Sequence, residues 1–365
     1  MRKQYRVNSV TLLVQPRLVN DPFSDAGLLL DFRFGNRAML FDIGDLSPLS
    51  PREILRVSHV FVSHMHMDHF AGFDRLLRLF LYRNRTVHFF GPPGLTAAVQ
   101  AKLNAYTWNL LDEQSHDFMI AACDWTPGGF HHCRLFRARS GFAREDTAST
   151  SAEGNVLLDD PDFRVEAAML DHGVPCLAFA FQEKIRINVQ KPQLEALGLR
   201  VGPWLSEAKR AVRRGADPKT TLAPTADRHI SVGELLGAGA LRTGPGQRIV
   251  YATDLAFNEA NLARVVALAH GANQLFIEAG FLQEDRELAA AKRHLTAAEA
   301  GTIARLAGVE HAVPMHFSPR YLGHEDELRA EFMANLVAVS ASQPRDEEYQ
   351  PLDNSRYDLR FDHLR

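Results

Sequence analysis

The chain has 365 residues, 46% of them hydrophobic and 23% charged, with a net charge of −3. Such a composition belongs to a globular protein with a sizeable core and gives no global drive toward nucleic acid, although a local basic patch is compatible with it. No run approaches the roughly 18 apolar residues of a membrane span, and the basic stretch MRKQYRVNSVTLLV lacks the apolar core and cleavage site of a signal peptide. Three cysteines, Cys123, Cys133 and Cys176, do not read as a disulfide framework. A reducing, cytoplasmic setting is therefore expected.

In chain order, LLLDFRFGNRAMLFDIG (28–44) reads as two strands around a Gly35-Asn36 turn, and VSHVFVS (57–63) as a short apolar strand. FDRLLRLFLY (73–82) has helical spacing of Leu and Phe, and its apolar stripe is core. GPPGLTAAVQAKLNAY (91–106) reads as a loop and then a helix. Residues 144–163 are polar and read as loops between strands. FRVEAAMLDH (163–172) and LAFAFQE (177–183) read as neighbouring strands, and IVYATDL (249–255) as a buried strand ending in an aspartate. In TAAEAGTIARLAG (296–308), Thr296 and Glu299 form a capping-box pattern and Gly308 stops the helix. EHAVPMHF (310–317) is a strand ending in a histidine. The charged stretch 341–365 reads as a tail or a final helix. No linker divides the chain, so a single layered α and β domain over 1–365 is expected.

The chemistry concentrates in SHMHMDHF (63–70), where three histidines and an aspartate fall within six positions. His64 and His66 project to one side if the strand geometry continues. Asp68 and His69 follow in a turn that can face back to the same point. Imidazole and carboxylate suit zinc, with manganese or iron as alternatives. Four ligands crowded on one loop are more easily split between two ions than wrapped around one. Asp42, in FDIG, reads equally as an acceptor for a ligand histidine or as a turn residue.

This stretch resembles the signature of the metallo-β-lactamase superfamily. The resemblance implies an α+β fold, a four-layer αβ/βα sandwich with a dinuclear metal site at one edge. It implies that His64 and His66 bind one metal and that Asp68 and His69 bind the other. Further ligands come from His172 in LDHGVP, from Asp254 in YATDL as the bridge, and from His316 in PMHFSPRY. HLTAAEAGTIARLAGVEHAVPMHFSPRY (294–321) is similar to the C-terminal signature of ribonuclease Z, the tRNA 3′-processing endonuclease. LDHGVPCLAFAF (170–181) and NVQKPQLEALGLRVGPWLSEAKR (188–210) resemble segments of the same family. By that resemblance His294 assists proton transfer, Ser318 and Arg320 lie near the phosphate, and the protein is a homodimer. Met67 stands where the family loop has glycine, and Leu255 follows the bridging aspartate where the family has threonine.

Two divalent metals, zinc first, would lower the pKa of a bridging water, hold the phosphoryl group and stabilise the leaving oxygen. Asp68 would orient the nucleophile or take its proton, and Glu278 would orient His294. The expected function is ribonuclease Z-like cleavage of phosphodiester bonds, as at pre-tRNA 3′ ends. The alternative is a hydrolase of the same fold acting on a lactone, a sulfate ester or a small phosphodiester. His131 and His132 read as loop residues near the cleft. KRAVRR (209–214) reads as a solvated helix face rather than an RNA contact, and His59, His88, His116 and His270 as structural or surface residues.

Overall fold

The computed structural model describes residues 12–33, 35–147 and 154–337. The stretch 341–365, read as a tail or helix, lies outside the described residues.

The first half builds an eight-stranded sheet: β1 (Val14–Leu18), β2 (Leu28–Phe32), β3 (Ala38–Phe41), β4 (Val57–Phe61), β5 (Arg85–Gly91), β6 (Phe118–Thr126), β7 (Gly129–Arg137) and β8 (Arg144–Asp146). β1 to β3 form an antiparallel meander. Gly35 and Asn36, both at positive φ, form the turn between β2 and β3, the conformation that a tight hairpin turn demands. β3 to β6 run parallel. The helices α1 (Pro51–Ile54), α2 (Met67–Phe70), α3 (Phe73–Phe80) and α4 (Leu95–Asn104) lie between these strands. Phe73, Leu76, Leu77 and Phe80 of α3 are buried against the outer face of the sheet.

The second sheet begins with β9 (Val156–Asp159), β10 (Phe163–Asp171) and β11 (Pro175–Glu183). A small lobe follows, with β12 (Ile185–Val189), α5 (Lys191–Ala196), α6 (Trp204–Arg213), β13 (Thr221–Thr225), β14 (Arg228–Ser231), α7 (Val232–Gly237) and β15 (Leu241–Pro245). It packs around its own cluster, including Leu194, Leu235 and Leu241. The chain then returns to the sheet as β16 (Arg248–Ala252), β17 (Gln274–Glu278) and β18 (Ala312–Met315). These three run parallel and are almost wholly apolar, as strands covered on both faces must be. Their connections carry α8 (Glu259–Ala269), α9 (Arg286–Lys292) and α10 (Ala297–Ala307), and α11 (Glu325–Leu336) packs on α10. The capping box of Thr296 with Glu299 and the left-handed Gly308 bound α10 as the sequence predicts.

The two sheets face each other across a core that includes Phe41, Phe61, Phe179 and Tyr251. The rings of Phe41 and Phe179 stack at 5.2 Å. Helices cover both outer faces, which completes the four-layer αβ/βα order. Strands β3, β4, β16, β17 and β18 all deliver their C-terminal ends to one edge of the sandwich. β10 does so too, because β11 is antiparallel to both β10 and β16.

Four sequence readings are corrected. Residues 144–163 are not only loops: they contain β8 and β9, which are sheet-edge strands. β8 has the sequence RED and all three residues are exposed, so it has no apolar alternation to read. His131 and His132 lie on β7, and His131 Nε2 is 2.9 Å from Thr126 Oγ1. Finally, Cys123 and Cys133 are joined by a disulfide, leaving Cys176 as the free, buried thiol. Adjacent strands of the β6–β7 hairpin hold the pair 4.2 Å apart at Cα. Basic segment 209–214 braces the lobe instead of facing only solvent, with Arg213 reaching Asp162 at 3.5 Å and Glu183 at 3.7 Å.

Candidate active site

The site is assembled from strand ends. His64 and His66 follow the end of β4, and His66 is extended at φ −65° and ψ 156°. The single turn of α2 then swings Asp68 and His69 back toward them. This loop is stitched to the segment after β3, where Ile43 N–H donates to His69 O at 2.9 Å, and to the segment before β2, where Ala26 N–H donates to Asp68 O at 3.2 Å. Gly44 permits the approach, since a Cβ there would lie 2.1 Å from Asp68 O.

Asp42, Asp254 and His316 each follow a strand and have φ of 58°, 48° and 56°. Left-handed backbone costs energy for residues with a Cβ and persists where packing enforces it. Here it turns the chain sharply at the sheet edge and aims each side chain inward.

Asp254 is the hub. Its Oδ2 lies 3.3 Å from His69 Nε2, 3.5 Å from His172 Nε2 and 3.6 Å from His64 Nε2. Its Oδ1 lies 3.0 Å from His316 Nδ1. Asp68 Oδ2 lies 3.5 Å from His69 Nε2 and 3.3 Å from His316 Nε2. The His66 ring is 4.3 Å from that of His64 and 5.3 Å from that of His172. Three sets of donor atoms converge within 4.8 Å: His64, His66, His172 and Asp254; Asp68, His69 and His316; and Asp254, Glu278, His294 and His316.

Buried groups behind the cluster hold the imidazoles in place. Asp42 accepts from Ser63 N–H at 2.6 Å, Ser63 Oγ–H at 2.8 Å and Tyr251 O–H at 3.0 Å. His69 Nδ1 is 2.8 Å from the same carboxylate. Ser63 Oγ is also 3.1 Å from His64 Nδ1, and the Cys176 thiol is 3.7 Å from that nitrogen. His172 Nδ1 donates to Arg293 O at 2.9 Å. Glu278 Oε2 is 2.8 Å from His294 Nδ1, and its Oε1 accepts from Leu255 N–H at 2.7 Å.

His64 Nε2, His69 Nε2 and His316 Nδ1 are buried with no hydrogen-bond partner. Buried polar atoms are rarely orphaned, and three imidazole nitrogens turned toward one carboxylate fit a divalent cation. The electrostatics agree. Burial and the neighbouring imidazoles push His64 down to about 2. Burial opposes a charge on His69 and His316, but Asp254 together with Asp42 raises His69 well above the ordinary range, and Asp254 together with Asp68 raises His316 to about 10. Asp254, although buried, is held far below the carboxylate range by His316 and His69. Protons on His69 and His316 then offset the charge of the buried carboxylate, and a bound cation would take their place.

A cavity of about 560 Å³ opens beside the cluster, lined by Asp68, His294 and His316 and also by Ser318, Lys292 and Arg320. Arg320 Nε lies 3.1 Å from Asp285 Oδ2. Phe23 and Asp25, which no sequence signal singled out, line the same cavity.

Two facing sheets flanked by helices, with a histidine–aspartate cluster at the strand ends, define a metallo-β-lactamase fold, and a family model described as "Beta-lactamase superfamily domain" matches residues 211–317. The chain is 32% identical to the ribonuclease Z of Deinococcus radiodurans over 292 residues, 79% of this chain and 84% of that protein. It is 27% identical to the ribonuclease Z of Synechocystis over 291 residues, 77% of this chain and 74% of that protein. The chain belongs to the ribonuclease Z family. Among solved structures, the short form of human tRNase Z is similar at 17% identity with a TM-score of 0.45, covering 86% of this chain and 93% of that one. The chain is thus a metal-dependent hydrolase. Among the described residues no helix is long and apolar enough to cross a membrane.

Proposed function

We propose that this chain hydrolyses phosphodiester bonds in RNA, with pre-tRNA 3′ ends as the substrate class, at two divalent metal ions bridged by Asp254. One observation carries this reading: Asp254 lies within 3.6 Å of four imidazoles, and one of them, His316, lines a cavity that also holds Arg320 and Lys292. The naming of its relatives as ribonuclease Z supports it.

His64, His66, His172 and Asp254 would hold one ion, and Asp68, His69, His316 and Asp254 the other. The nitrogen and carboxylate donors suit zinc first and manganese or iron next. When bound, the ions supply Lewis-acid polarisation of the phosphoryl oxygen and lower the pKa of the attacking water. Asp68, half-exposed at the cavity mouth, orients that water and takes its proton. Water attacks phosphorus, the bond to the leaving ribose oxygen breaks, and His294 Nε2–H protonates that oxygen. Glu278 holds the other side of the ring, so Nε2 is the free nitrogen. Burial disfavours the His294 cation, but Glu278 raises its pKa, which keeps the acid charged. Ser318 and Arg320 grip the phosphate, the guanidinium offering paired donors once it leaves Asp285.

The family resemblance supports a homodimer, and the absence of a dividing linker supports one domain over 1–365. The test is paired hydrolysis by metal-loaded protein of a pre-tRNA carrying a 3′ trailer and of bis(p-nitrophenyl) phosphate, with His66→Ala as blank. Cleavage of both, lost in the variant, is expected. Cleavage of the small diester alone would transfer the assignment to a small-substrate hydrolase, and cleavage of neither would overturn it.

A further inference from the structure

We infer that the cavity beside the cluster contains a nucleotide subsite in which Phe23 stacks a nucleobase and Lys292 takes a second, non-reacting phosphate. This rests on the phosphodiesterase reading and adds the recognition of what flanks the scissile bond.

Phe23 is half-buried, lines the cavity and stands on a rigid loop. Asp21 accepts from Phe23 N–H at 3.0 Å, and Phe317 N–H donates to Pro22 O at 2.7 Å. The Asn20 amide donates to the carbonyls of Asp25 and Asp45, both at 2.9 Å. Behind the ring, buried Phe317 makes an edge contact at 5.3 Å between centroids, and Arg329 lies 5.5 Å from the far ring. Phe23 therefore presents a braced ring to the cavity. A planar ring fixed in place loses little freedom when a base stacks on it, and such stacking is tolerant of base identity.

Lys292 ends α9, is exposed and lines the same cavity. Among the described residues no carboxylate pairs with it, whereas Arg320 is engaged by Asp285. A compact ammonium with no ion-pair partner among the described residues, two residues before His294, suits a phosphate one nucleotide from the reacting one. The cavity volume of about 560 Å³ lies within the range of sites that enclose a small organic ligand.

Equilibrium binding tests this without turnover. Metal-loaded protein is titrated calorimetrically with ribose 5-phosphate, adenosine 5′-monophosphate and adenosine 3′,5′-bisphosphate. The wild type is expected to bind the monophosphate about tenfold tighter than ribose 5-phosphate, the scale of one base stack. Phe23→Leu, which keeps apolar volume against Phe317, should cut that ratio below about twofold, and Phe23→Tyr should restore it. Lys292→Met should abolish the extra affinity of the bisphosphate over the monophosphate and leave the base preference intact. A wild type without base preference, a preference that survives Phe23→Leu, or a bisphosphate advantage that survives Lys292→Met would overturn the subsite. Failure to hydrolyse any diester would instead sink the phosphodiesterase reading, so the two failures are distinct.

Discussion

Asp42 Oδ2 lies 2.8 Å from His69 Nδ1, on the opposite side of the imidazole from Asp254. One carboxylate fixes the ring's tautomer and the other faces the metal side. Asp42→Asn keeps the shape and tolerates the left-handed backbone at φ 58°, but removes the charge. Outer-shell partners of this kind are worth roughly 10- to 100-fold in metal affinity. We expect a loss of that size in competition with a chelator, with the fold retained on circular dichroism. Asp42→Ala should also destabilise by about 3 kcal/mol or more, because it strands the buried donors of Ser63, Tyr251 and His69.

The two proposed ligand sets meet at Asp254, which lies 3.5 Å from His172 and 3.3 Å from His69, but differ otherwise, and this predicts separable metal losses. His172→Ala should leave one ion per chain by elemental analysis, because Asp68, His69 and His316 are untouched. Asp254→Ala should bind neither ion tightly. Two ions retained in His172→Ala would break the proposed division of ligands.

Glu278 raises the pKa of His294 against the effect of burial. The sign follows directly: a raised folded pKa keeps the ring protonated to higher pH, and removing the carboxylate brings that limit down. Glu278→Gln should therefore shift the descending limb of the kcat/KM profile on RNA to lower pH. A diester whose leaving group is p-nitrophenolate needs no acid, so its alkaline limb should stay in place. Equal shifts on both substrates would remove His294 from the role of acid.

Gly44→Ala tests the close approach that brings Asp68 into the site. The added methyl would lie 2.1 Å from Asp68 O and 2.5 Å from Asp25 Cβ. Overpacking of this kind costs about 1–3 kcal/mol, and backbone must move to relieve it. Thermal denaturation should show a lower Tm, and metal affinity should fall with it. An unchanged Tm would mean that the two segments are not packed as described.

Much of this site could be read before the fold was known, because four candidate ligands sit in six consecutive positions and the strand before them is apolar. Asp254, His172 and His316 are single residues at strand ends, and only the family resemblance singled them out. Phe23, Asp25 and Lys292 gave no signal, because their place at the cavity depends on long-range contacts of loops with β-strand ends. Strands β8 and β9 escaped notice for a related reason. β8, at a sheet edge with the exposed sequence RED, has one pairing partner and no apolar alternation to read, whereas β9 is only the short run VLLD set among polar residues. The bridge between Cys123 and Cys133 depends on the pairing of β6 with β7, which the turn at Pro127-Gly128 did not reveal.

The most direct test of the central claim is to strip the protein with chelator and follow hydrolysis of bis(p-nitrophenyl) phosphate as zinc is titrated back. Catalysis should be absent from the stripped protein, rise with occupancy and reach its plateau at two ions per chain. Hydrolysis by the stripped protein, or full loading without hydrolysis, would contradict it.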